Sequence, residues 1–105
     1  MRCEFTEFEF FLDSHEENKI FMRFSTKEDS SEVTDFVLIY FTLIDNVFLE
    51  VVKYDFSLRE KLHVHYYFSK RKVYLDEDVN FESMAKFSEH LMYNWQNYLL
   101  KFINK

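Results

Sequence analysis

VTDFVLIYFTLIDNVFLEVVKYD, residues 33–55, is the stretch whose reading decides the fold. From Phe36 to Ile44 it is almost continuously apolar, the pattern of a strand with both faces covered. Asp45-Asn46 follows. Both residue types accept positive φ, and such a pair between two apolar runs predicts a tight hairpin turn. Val47 to Asp55 is then the antiparallel partner. The apolar run is far too short to span a bilayer, which takes about 20 residues as a helix.

On the N-terminal side, Glu7 to Leu12 alternates polar and apolar, with Phe8, Phe10 and Leu12 sharing one side. Asp13 to Asn18 is a polar turn, and Lys19 to Ser25 alternates again with Ile20, Met22 and Phe24 inward. This predicts a first hairpin. Thr26 to Glu32, charged and serine-rich, reads as a loop. On the C-terminal side, Phe56 to Lys61 reads as a loop and Leu62 to Ser69 as a strand. Lys70-Arg71 reads as a turn into a short strand, Lys72 to Leu75. Phe81, Met84, Ala85, Ser88, Leu91, Met92, Trp95, Leu99, Phe102 and Ile103 then form one stripe at helical spacing. Asn80 suits the N-cap, Glu82 the positive start, and Lys101 and Lys105 the negative end. The expected fold is α+β: one domain over residues 1–105, with a mostly antiparallel twisted sheet of about five to six strands and one long C-terminal helix packed on one face.

Composition excludes several function classes. The chain has no Gly and no Pro, so it carries no Gly-rich phosphate loop, no dinucleotide fingerprint and no Gly-containing nucleophile elbow. No cofactor is expected. Turns fall to Asn, Asp and Ser. The one cysteine, Cys3, cannot form an intrachain disulfide, and the start Met1-Arg2-Cys3-Glu4 has no apolar leader region. A cytoplasmic protein without membrane association is the expectation. Net charge is −6, which weighs against generic nucleic-acid binding, but it is uneven. Residues 1–60 carry 6 basic and 14 acidic groups, and residues 61–105 carry 7 and 5. Arg59, Lys61, Lys70, Arg71 and Lys72 cluster around two histidines.

Those histidines are the chemical feature. His63 and His65 project from the same strand face, about 6–7 Å apart along the strand. If Asp55 lies opposite Leu62, then Tyr54 faces His63 and Val52 faces His65. Slipped by one residue, His63 faces Lys53 and Asp55 faces Lys61. One reading is metal-independent RNA cleavage, with one imidazole taking the ribose 2′-hydroxyl proton and the other protonating the leaving oxygen. His63, His65, Tyr54 and Asp55 are then the catalytic candidates. Arg59, Lys61 and Arg71 would bind the phosphate, and Tyr54 or Tyr67 would position it or stack on a base. A second reading is a metal site on the two histidines with Asp55 or Glu50; the basic neighbours disfavour a cation, and no metal is expected. In a third, the same residues are the polar face of an antiparallel sheet, half covered by a loop or a partner chain. His15 and His90 read as loop and helix-surface residues.

Val52-Lys53-Tyr54-Asp55, then His63-Val64-His65, then a terminal helix with Asn94-Trp95-Gln96-Asn97-Tyr98, resembles a group of small archaeal and bacterial proteins similar to the TumE-type toxins of toxin–antitoxin pairs. The resemblance covers roughly Ile39 to Lys105. It implies a toxin-like function, a partner antitoxin and an RNA target, and it carries onto Tyr54, Asp55, His63 and His65. The group often has a Gly and a further His just after Tyr-Asp; here Phe56-Ser57-Leu58-Arg59-Glu60 has neither. The alternative is a non-enzymatic interaction module, homodimeric through an aromatic sheet face bearing Phe11, Phe21, Phe48, Tyr67 and Tyr74.

Overall fold

Among the described residues, six strands laid down in chain order make up one antiparallel sheet in the computed structural model of the chain. Residues 3–105 are described; Met1 and Arg2, the start of the segment read as leaderless, lie outside the described residues. The strands are β1 (Cys3–Phe11), β2 (Asn18–Lys27), β3 (Val33–Ile44), β4 (Val47–Ser57), β5 (His63–Tyr66) and β6 (Arg71–Tyr74), followed by the helix α1 (Phe81–Ile103). The α+β class, the antiparallel sheet and the single long helix stand as the sequence predicts. Some boundaries differ: β1 and β2 run further at their outer ends, β4 continues to Ser57, and β5 is four residues long.

The central hairpin turns at Asp45 and Asn46, with φ of 52° and 65°, the double positive φ of a twist-matched two-residue turn. Glu16, Ser31 and Lys70 also adopt positive φ. With no glycine available, side chains that resist this conformation carry three further turns, two of them neither Asn, Asp nor Ser. The Asp13 carboxylate organises the first turn: Oδ1 accepts from the amides of Glu17 and Asn18 at 3.1 and 3.0 Å. Burial works against the charge, but these bonds and one from the Asn18 side chain hold the Asp13 carboxyl below its usual range.

α1 lies across β3 and β4. Its start is a reciprocal cap: Asn80 Oδ1 accepts from the Ser83 amide and Ser83 Oγ accepts from the Asn80 amide, both at 2.9 Å. The helix stripe Met84, Phe87, Leu91 and Phe102 is buried against Phe36, Leu38, Tyr40, Val52, Tyr54 and Val64 of the sheet. Phe87 stacks between Phe36 and Tyr54, with ring centroids at 6.4 and 4.8 Å. Tyr40 is fully buried, and its hydroxyl donates to Asn18 Oδ1 at 2.6 Å, satisfying the polar end inside the core. The other sheet face has no second layer among the described residues.

Between β3 and β4 the register shifts at Tyr40/Phe41: Tyr40 pairs with Val52 and Phe41 with Glu50, so Val51 has no partner in β3. It is a β-bulge, which bends and twists the strand locally. The Val51 carbonyl accepts instead from the Tyr67 amide at 3.0 Å, just beyond the histidine strand.

Candidate functional site

Register decides what the histidines meet. His63 pairs with Asp55 on β4 and Tyr74 on β6; His65 pairs with Lys53 and Lys72. Neither register expected from the sequence occurs. The observed one is offset by two residues from the second, which keeps Lys53 and Asp55 on the histidine face. Two rows therefore cross three strands on the open face, Lys53–His65–Lys72 and Asp55–His63–Tyr74. Adjacent strands stand about 4.8 Å apart.

Tyr54 is not in this group. Its register partners are Leu38 and Val64, so it points to the helix side, buried and stacked on Phe87. Burial pushes its phenol strongly up. The alternation of strand side chains sets Tyr54 apart from Lys53, Asp55 and the histidines, because neighbours in sequence take opposite faces. The expected phosphate ligands also go elsewhere. Arg71 pairs with Tyr66 and shares the helix side. Arg59 lies exposed in the turn after β4, beside Cys3, Thr34 and Asp35. Lys61 borders a depression with Asp76, Glu77 and Asp78. Lys53 and Lys72 occupy the positions those three were expected to fill. The basic stretch signalled Lys72, and only the register adds Lys53.

His63 is 2% exposed. Its Nδ1 lies 2.8 Å from the Lys61 carbonyl oxygen. A carbonyl only accepts, so Nδ1 carries a proton. Nε2 then faces Glu60 Oε1 at 3.7 Å. The other oxygen of Glu60 accepts from Lys72 Nζ at 2.6 Å and Tyr74 Oη at 2.8 Å. These two donors, Lys72 first, hold the Glu60 carboxyl below its usual range, and Glu60 in turn raises Lys72. Neither Glu60 nor Tyr74 is placed in the site by the sequence alone.

His65 is half-buried. Its ring meets His63 edge-on at 4.9 Å and stacks on Tyr67 at 5.8 Å, with 14° between the planes. Burial lowers its pKa first, and charge on His63, Lys72 and Lys53 lowers it further, against the pull of Asp55. The charged form of His65 is therefore disfavoured relative to a free imidazole. Asp55 Oδ2 lies 3.8 Å from Lys53 Nζ. Burial and the Glu50 carboxylate push the Tyr67 phenol up, which places Glu50 at the margin of the face.

The two histidines thus differ. His63 is buried and tethered; His65 is half-buried, with Lys53 and Lys72 on the neighbouring strands. Such a surface can meet a small or polymeric anion with its lysines and accept a proton at His65. As for a metal, no group of three or more His, Cys, Asp and Glu suited to holding one occurs among the described residues. His90 lies exposed on α1, with Nε2 2.7 Å from Tyr98 Oη, and His15 lies exposed in the first turn. No helix among the described residues is long and apolar enough to cross a membrane.

No curated protein and no solved structure matches the chain. A family model, described as a domain of unknown function (DUF7718), matches residues 5–105, nearly the whole chain, and the chain belongs to that family.

Proposed function

We propose that this protein is a toxin-like member of a toxin–antitoxin pair that acts on RNA through the face formed by Lys53, His65 and Lys72. The observation that carries this reading is the row itself: a half-buried imidazole, its charged form disfavoured, with a lysine on each neighbouring strand. The lysines meet phosphate oxygens, and His65 is the group suited to take up a ribose 2′-hydroxyl proton at neutral pH. Tyr67, stacked on His65, offers an aromatic edge for a base. His63 serves as a positioning residue, because its burial and its bond to the Lys61 carbonyl fix the His65 ring beside it. An antitoxin would silence the face by covering it, with acidic groups opposite the lysines.

Titration of a labelled single-stranded RNA tests the reading. Binding should weaken with salt, and Lys53→Ala with Lys72→Ala should flatten the log–log salt slope by about 1.4, roughly 0.7 for each phosphate of a single strand that is no longer neutralised. His65→Ala should retain most of the binding and lose growth arrest on expression. RNA that stays free at low salt and micromolar protein would sink the reading.

A second reading, the homodimeric interaction module, is favoured by the uncovered sheet face, where Phe5 is 60% and Phe11 44% exposed. Light scattering at micromolar concentration should then show a dimer, and a strict monomer counts against it.

A further inference from the structure

The two edges of the sheet are built differently. β6 is four residues long and opens with Arg71 and Lys72, a short, charged edge of the kind that resists further pairing. β1 is nine residues long and pairs with β2 along its whole length without a register shift. Among the described residues nothing pairs with its outer side. It contains no Lys, no Pro and no bulge. Its outward amides and carbonyls form a continuous unpaired ladder.

The side chains along this edge specify what fits it. Phe5, Glu7, Glu9 and Phe11 share the open face, since they pair with Ser25, Arg23, Phe21 and Lys19; Phe8 and Phe10 share the helix face with Met22 and Ile20. Phe8 is 44% exposed and forms one rim of an apolar groove of about 320 Å³ whose other rim is Phe81, Met84 and Ala85. Glu9 reaches Lys19 at only 3.5 Å and stays largely exposed. A second copy of the chain is a poor occupant. The antiparallel register that overlaps the full strand sets Glu7 against its own copy, and the register centred on Phe8 sets each Glu7 against a Glu9. Like charges directly opposite destabilise a strand pair, and each copy carries a net charge of −6.

We infer that the outer edge of β1 receives an extended segment of a partner protein as a seventh strand, with Lys or Arg opposite Glu7 and Glu9 and apolar side chains opposite Phe8 and Phe10. Backbone hydrogen bonds supply the attachment and the alternating side chains supply the selection. This edge is separated from the histidines by the width of the sheet, so the inference stands independently of any action on RNA.

Synthetic nine-residue peptides test it on the full chain. One alternates lysine and valine, a second has glutamate for lysine, and a third is the first with its central valine replaced by proline. The lysine–valine peptide should bind at least about tenfold more tightly than either control, a difference of roughly 1.4 kcal/mol, and should slow hydrogen exchange at β1 amides. Glu7→Lys with Glu9→Lys, both at exposed positions, should transfer the preference to the glutamate peptide. Equal binding of the proline peptide would mean attraction by charge alone and overturn the proposal. So would protection confined to the histidine face, no binding at all, or a peptide-free dimer that protects β1.

Discussion

At the scale of single residues, His65 links stability to pH. Its folded pKa lies below the unfolded value of about 6.5, so between the two values the unfolded chain binds more protons than the folded one. The stabilisation is complete above pH 6.5 and falls away as pH drops through the folded pKa. Asp13 and Glu60, both held low, lose their contribution in turn as pH falls below about 4. Urea midpoints measured from pH 8 to pH 3 should therefore decline in two stages, and His65→Gln should flatten the upper one while leaving the lower in place. A single-stage decline in the parent chain would contradict this assignment. The histidine pair was legible in the sequence as two same-face imidazoles. Its surroundings were not, because a shift of one residue in pairing exchanges every neighbour and every face. Tyr54 shows the cost: one position from Lys53 and Asp55, it belongs to the core. Glu60 was hidden for another reason. It comes from a turn, and no periodicity announces which strand a turn residue reaches.

At the scale of elements, the helix and the central hairpin were readable because each carries its own local signal. The α1 stripe repeats over six turns and starts at a residue type that caps, and Asp45-Asn46 marks its turn by chemistry alone. The boundaries of β4 and β5 were less readable. The bulge at Val51 and the continuation of β4 to Ser57 both change the count between the hairpin turn and His63. The cap itself makes a simple prediction. Asn80→Ala removes the acceptor for the Ser83 amide and should cost about 1 kcal/mol of stability. Thermal unfolding should register this as a drop of roughly 4–8 °C in Tm for a domain near this size. Asn80→Asp, which keeps an acceptor at the positive helix start, should leave Tm within a degree or two of the parent or raise it.

For the molecule as a whole, the absence of glycine is a distributed strain. Lys70 holds a φ of 56° in the turn between β5 and β6, where its Cβ crowds the backbone at a cost of roughly 1–2 kcal/mol. Lys70→Gly should raise stability, by about 1 kcal/mol or somewhat less once the looser unfolded chain is counted. Chemical denaturation should show a higher midpoint at unchanged slope; a lower midpoint would mean the Lys70 side chain contributes more than its backbone costs. The order of the elements has a different consequence. Every strand pairs with its neighbour in the chain, so the sheet can assemble progressively as the polypeptide leaves the ribosome. The element that covers Phe36, Leu38 and Tyr54 among the described residues is synthesised after all six strands. A nascent chain stalled at Val79 would hold a finished ladder over a bare apolar floor, and such a chain is a client for chaperones. Premature termination in this gene should therefore yield insoluble product, not a smaller working sheet.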